Sequence, residues 1–173
     1  MKYSIVYSKS DGNTKLLADT VYESLNKDEC LYFGKTCDEA LNADIIFIGF
    51  WTIRGMCDDI TKDLLSKITN QKVFLFGSAG FGLSDDYFKE IINASMNYLD
   101  NNVEVLNTYM CQGKMKMAVR EKYEALKKAN PMDMNVDMMI KNFDLALSHP
   151  DSDDLLKLSN LVKKVGHIYG FAL

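Results

Sequence analysis

Every residue of the run Ile45-Ile-Phe-Ile48 is apolar, with no polar residue at alternate positions. A strand of this kind is buried on both faces, which calls for a parallel sheet with helices packed above and below it. The run sits inside a longer apolar segment, Asp44 to Phe50, and others of strand length occur at Tyr3 to Tyr7, Cys30 to Phe33, Lys72 to Phe76 and Val103 to Tyr109. Between them apolar residues recur at helical spacing. Leu17, Val21 and Leu25 share one face, Ile60, Leu64 and Ile68 a second, and Phe88, Ile91 or Ile92, Ser95 and Leu99 a third. Strands alternating with helices predict a doubly wound α/β domain with five strands.

Past Tyr109 the strand signal stops and helical faces follow: Val119, Tyr123 and Leu126; then Val136, Met139, Ile140, Phe143 and Leu147; then Leu155, Leu158, Leu161, Val162, Val165 and Ile168. Pro131 and Pro150 mark the breaks, and Asp151 or Ser152 can cap the last helix. No segment of flexible composition separates this tail from the sheet. Residues 110–173 therefore read as helical cover on the core formed by residues 1–109, and 1–173 as a single domain. Seven of the ten methionines fall between Met110 and Met139, where they are expected to fill gaps in the core.

A net charge of −4 argues against nucleic acid, which needs a basic face. It suits docking against a basic patch on a partner protein. With no apolar run of membrane-spanning length and no charged-then-apolar leader, a soluble, cytoplasmic protein without membrane association is expected. Cys30, Cys37, Cys57 and Cys111 form no C-x-x-C pair and read as reduced thiols. His149 and His167 stand apart, and no metal site or catalytic residue is predicted.

In open α/β sheets ligands bind at the carboxyl ends of the strands, which makes three loops candidates. The first runs from Ser8 to Thr14 between a strand and a helix, so its backbone amides and the helix N-terminus converge as they do around a phosphate. Gly12 permits close approach, and Ser8, Ser10, Asn13 and Thr14 add side-chain donors. The second, Trp51 to Asp59, carries Trp51-Thr-Ile-Arg-Gly55 with the only tryptophan. The third, Gly77 to Asp86, contains Gly77-Ser-Ala-Gly-Phe-Gly82. Trp51 and Phe81 are placed to sandwich a flat ring whose phosphate rests on the first loop, with Tyr87 or Phe88 as substitutes for Phe81.

Ser8-Lys-Ser-Asp-Gly-Asn-Thr14 resembles the phosphate loop of the flavodoxin family, a hydroxyl-rich turn ending in Gly-Asn-Thr, and the other two loops resemble that family's ring-contact loops. The resemblance covers Met1 to about Tyr109. Lys9 and Asp11 depart from it, each standing where the family has a hydroxyl. Cys111-Gln-Gly-Lys-Met115 and the helices beyond resemble a flavodoxin-like subfamily of anaerobic bacteria that includes a redox helper of bilirubin reduction. The resemblance implies a flavodoxin-like sheet of order 2-1-3-4-5 with additional C-terminal helices, non-covalent FMN, and electron transfer. It places cofactor contacts at Ser8, Lys9, Ser10, Asp11, Gly12, Asn13 and Thr14, at Trp51, Thr52, Ile53, Arg54 and Gly55, and at Ser78, Ala79, Gly80 and Phe81. Gly55 is where a backbone flip would turn a carbonyl toward the ring's N5. Asp58, Asp59, Asp85 and Asp86 flank the ring loops and imply a low potential, against which Arg54 acts.

The expected function is a carrier shuttling electrons between redox partner proteins, as a monomer or weak dimer. The alternatives are an FMN-dependent NAD(P)H:quinone-type oxidoreductase and an accessory partner of a reductase such as bilirubin reductase. A signalling receiver domain fits poorly, because the third strand ends in Phe50-Trp51 where a phosphoacceptor Asp would stand.

Overall fold

The computed structural model describes residues 1–8, 12–82 and 84–171. Strands β1 (Tyr3–Tyr7), β2 (Cys30–Lys35) and β3 (Ile45–Ile53) are followed by a two-residue strand, β4 (Met56–Cys57), and then by β5 (Lys72–Ala79) and β6 (Val105–Gln112). The long strands pair in parallel in the order β2-β1-β3-β5-β6, while β4 folds back antiparallel on the end of β3. Counted among the long strands alone, this is the order 2-1-3-4-5. The sheet thus has six strands rather than the expected five.

The described residues also form the α-helices α1 (Asn13–Glu23), α2 (Asp59–Leu65), α3 (Asp85–Met96), α4 (Met117–Ala129), α5 (Met134–Ala146) and α6 (Ser152–Tyr169). Side chains alternate across the sheet as the strand period requires. Tyr3, Ile5, Phe47, Phe74 and Phe76 pack with Leu17 and Val21 of α1 and with Leu158 and Val162 of α6. Val6, Ile46, Ile48, Val73 and Leu75 pack on the other face with Leu64 and Leu65 of α2 and with Ile91 and Ile92 of α3. The Ile45–Ile48 run is fully buried, because helices lie over both of its faces.

The strands extend further at their carboxyl ends than side-chain pattern indicates. Trp51 pairs with Ser78 and Ala79 with Gln112, so Trp51 to Ile53 and Gly77 to Ala79 are strand rather than loop. Ladder hydrogen bonds belong to the backbone and continue where the apolar run has ended.

In the tail, Asp151 caps α6 in a reciprocal box with Asp154, and Gly170 closes the helix in the left-handed conformation. Helices α4 and α5 form a hairpin pinned by ion pairs of Arg120 with Asp144 and, at 2.6 Å, Lys127 with Asp137. No residue of α4 is buried, and α5 buries only Val136, Phe143 and Ala146. This corrects the core-filling role expected of the methionines: none of the seven between Met110 and Met139 is buried, and Met132, Met134, Met138 and Met117 are exposed. Ile60, Leu126, Leu147 and Ile168, expected on apolar faces, are exposed as well. Helical spacing shows which side chains share a face; it does not show that anything covers that face.

Candidate functional site

A cleft of about 830 Å³ opens at the carboxyl ends of the long strands, where the connections after β1 and β3 diverge toward opposite faces of the sheet. Gly12, Asn13 and Thr14 form its floor at the start of α1. Gly12 is the N-cap of that helix at φ 74° and ψ −148°, a backbone conformation in which a side chain is strained. Lacking a side chain, it leaves the first-turn amides without a side-chain cap, and no acidic residue stands in that turn. Lys9, Ser10 and Asp11, also expected in this loop, lie outside the described residues.

Several expected donors are committed within the protein. The Ser8 hydroxyl donates to Asp58 Oδ2 at 2.6 Å, and Ser8 does not line the cleft. Asp58 is buried, caps α2 through the Thr61 amide at 3.1 Å, and also accepts the Thr61 hydroxyl at 3.0 Å. Asn13 Nδ2 donates to the Lys114 carbonyl at 3.0 Å, while its buried Oδ1 has no hydrogen-bond partner among the described residues. The Thr52 hydroxyl donates to the Ser78 carbonyl at 2.9 Å.

One wall is Trp51, Thr52, Arg54 and Gly55. Arg54 and Gly55 both have positive φ, 51° and 78°, between the paired residues Ile53 and Met56. That pattern belongs to a type I′ hairpin turn, which explains the short β4 and favours glycine at its second position. Ile53 itself is half-buried and does not line the cleft. Trp51 is 38% exposed although it is the largest side chain of a core-building strand. From the neighbouring strand β5 and the segment after it come Ser78, Ala79, Gly80 and Phe81, with Tyr87 from α3, whereas Phe88 lines a separate cavity.

The third wall comes from Gly113, Lys114, Met115, Lys116 and Val119, at the end of β6 and the start of α4. These residues were missed as site residues, although a fourth strand end at the same edge of the sheet follows from parallel pairing alone. Their backbone is held by bonds from the Gly113 amide to the Ala79 carbonyl, 2.9 Å, and from the Lys114 amide to the His149 carbonyl, 2.8 Å. The Gly80 carbonyl accepts from Gln112 Nε2 at 3.1 Å and from Asn142 Nδ2 at 3.0 Å, and the two amides bond each other at 3.0 Å. Helix α5 thereby fixes the Gly80–Phe81 segment. No sequence pattern announces two amides thirty positions apart.

Among the described residues, the charged groups lining the cleft are Arg54, Lys114 and Lys116, with no carboxylate. The acidic surround expected of the ring loops is therefore absent from the lining. Asp58 is buried in its hydrogen bonds, Asp59 pairs with Lys62 at 2.7 Å, Asp86 pairs with Lys89 at 3.0 Å, and Asp85 lines the separate cavity. The Lys62 hydrogen bond, with a smaller contribution from Arg54, holds the Asp59 carboxyl below its usual range. Burial pushes the Cys57 and Cys111 thiols up, so neither is a thiolate nucleophile near neutral pH. His149, read as isolated, lies 2.6 Å from Asp154, whose carboxylate also serves the α6 cap. No helix of the described residues is long and apolar enough to cross a membrane.

A sequence profile of the flavodoxin domain matches residues 4–163. The flavodoxin-like domain-containing protein BilS of Clostridium symbiosum is 38% identical over 172 residues, covering 90% of each chain. Its counterpart of the same name in Clostridioides difficile is 30% identical over 169 residues, covering 95% of this chain and 96% of that one. Among solved structures, a Streptococcus pneumonia flavodoxin superposes with a TM-score of 0.56 at 14% identity, covering 97% of this chain and 99% of its own. Rubredoxin oxygen:oxidoreductase from Desulfovibrio gigas also scores 0.56 at 14% identity, over 98% of this chain but 36% of that longer one. The profile match over most of the chain, with the sheet order and the cleft at its carboxyl edge, establishes that this protein belongs to the flavodoxin family and has that family's FMN-binding fold.

Proposed function

We propose that the protein is an electron carrier, holding FMN in this cleft and exchanging electrons with partner proteins. The observation that carries the reading is that the N-terminus of α1, whose N-cap Gly12 has no side chain to cap it, and a half-exposed Trp51 line one cleft. The residues present fit the cofactor. The amides of the first α1 turn and the positive helix end suit a phosphate dianion. Asn13 Oδ1, without a hydrogen-bond partner among the described residues, can accept a ribityl hydroxyl. Trp51 on one wall and Phe81 with Tyr87 on the other provide flat apolar surface for the ring. FMN, when bound, supplies the electron chemistry; the protein supplies position and charge.

Arg54, Lys114 and Lys116 favour negative charge in the cleft, so they act against the low potential that carboxylates near the ring would produce. Burial of both nearby thiols leaves no competing redox group in the lining. A carrier is favoured over a stand-alone quinone reductase because the sequence shows no inserted loop that would build a second substrate pocket over the ring. An accessory role beside a separate reductase is one form of the same carrier function. Anaerobic titration of the FMN-loaded protein with dithionite, followed by its visible spectrum, is expected to show reversible reduction of one flavin per chain. Rapid steady-state oxidation of NAD(P)H with a quinone would instead assign the oxidoreductase activity.

A further inference from the structure

The α4–α5 hairpin is apolar on the side that the rest of the chain does not cover. On α5 the buried residues Val136 and Phe143 lie opposite a stripe formed by Met134, Met138 and Leu145, exposed by 78%, 65% and 59%. A helix that is apolar on two faces is one that expects burial on both. The surface is continuous in sequence with the cleft: Met115, Lys116 and Val119 line the cleft, and exposed Met117 lies between the last two.

Charge identifies what covers it. From Lys114 to Ala146 there are seven Lys or Arg against five Asp or Glu, while the remainder of the chain has thirteen against nineteen. Lys141 sits within the exposed stripe, one turn from Met138 and from Leu145, and Lys114, Lys116 and Arg54 rim the cleft. An isologous pair of copies would bring these cations together, which costs several kcal/mol for like charges in contact. We infer that this face docks a partner protein whose surface is apolar with an acidic rim, and that docking there brings the partner's redox centre to the mouth of the cleft. The proposal rests on the electron-carrier reading. It reverses the expectation from net charge, because the segment that forms this face carries a basic excess and the acidic excess belongs to the remainder of the chain. FMN, if bound there, would supply the electron acceptor, taking two electrons from the partner's reduced centre with two protons from water and no further reactant.

The test uses the FMN-loaded full chain and a reduced, acidic ferredoxin-type iron–sulfur protein as donor, with flavin bleaching followed by stopped flow. Wild type is expected to react with a rate constant that falls as salt is raised. Met138→Asp combined with Lys141→Glu is expected to slow it about tenfold or more at low salt. Met134→Ser combined with Leu145→Ser, which changes no charge, is expected to slow it at every salt concentration. Dithionite reduction, which needs no docking, is expected to be the same in all variants and reports on the flavin site alone. Its failure in wild type would refute the carrier reading rather than the docking face. Normal dithionite reduction with ferredoxin rates indifferent to these substitutions, or to salt, overturns the docking proposal. It is equally overturned if the same substitutions abolish a concentration-dependent dimer in sedimentation, or binding to phosphatidylserine vesicles.

Discussion

The proposed flavin site turns on Gly12 and Trp51. At φ 74° and ψ −148°, with none of the described residues beyond its chain neighbours in the space a methyl group would take, Gly12→Ala is opposed by backbone strain of about 1–3 kcal/mol. If the loop relaxes to relieve that strain, the amides of the α1 start turn away from the phosphate. FMN affinity measured by fluorescence quenching is then expected to drop at least tenfold. Trp51→Ala is expected to weaken FMN by about 1.4 kcal/mol, also near tenfold, from lost ring stacking. Because the indole is 38% exposed, the same substitution is expected to cost less stability than truncating a fully buried core side chain. Unchanged FMN affinity in either variant would mean that the ligand lies elsewhere. Both residues could be placed from the sequence because each stands at the carboxyl end of a parallel strand, Gly12 beyond β1 and Trp51 within the last residues of β3. Ser8 and Ile53 were named beside them and lie off the cleft, because a loop's sequence does not say which of its side chains turn back into the protein. The Asp58 carboxylate that takes the Ser8 hydroxyl comes from fifty residues away.

Among the elements, the C-terminal helices divide into two roles. Helix α6 completes the core, with Leu158 and Val162 fully buried beside α1. Leu158→Ala is expected to cost about 2–5 kcal/mol in denaturant unfolding. Met138→Ser, on the exposed stripe of α5, is expected to shift stability by no more than about 0.5 kcal/mol. Comparable losses for both would contradict the division. Helix α5 also reaches the site through Asn142, which does not line the cleft but accepts the Gly82 amide at 3.3 Å and donates to the Gly80 carbonyl. Asn142→Ala is expected to weaken FMN several-fold while leaving the thermal midpoint within a few degrees of wild type. Asn142→Gln, which keeps the amide, is expected to recover part of the loss. The periodicity of the tail revealed its helices and the Asp151 cap, since both are local. The standing of α4 and α5 away from the sheet is a matter of what packs on them, and helical spacing carries no information on that.

At the scale of the whole molecule, alternating strands and helices give a parallel sheet covered on both faces, the resemblance to flavodoxins supplied its order, and the cleft lies where that order reverses. Parallel strands share one carboxyl edge, so four loops converge there, and the three anticipated ones were joined by the segment from Gly113 to Val119. Net charge says little about the cleft for a different reason: it sums over the whole surface, whereas the charged groups that line the cleft among the described residues are Arg54, Lys114 and Lys116. The central claim is that amides at the start of α1 hold a phosphate while Trp51 covers a flavin ring. A crystal structure of the protein grown with FMN tests it most directly. The account predicts the phosphate within hydrogen-bond distance of the Asn13, Thr14 and Lys15 amides and the ring against the indole. FMN bound at any other surface, or a cleft closed by the protein's own side chains, would contradict it.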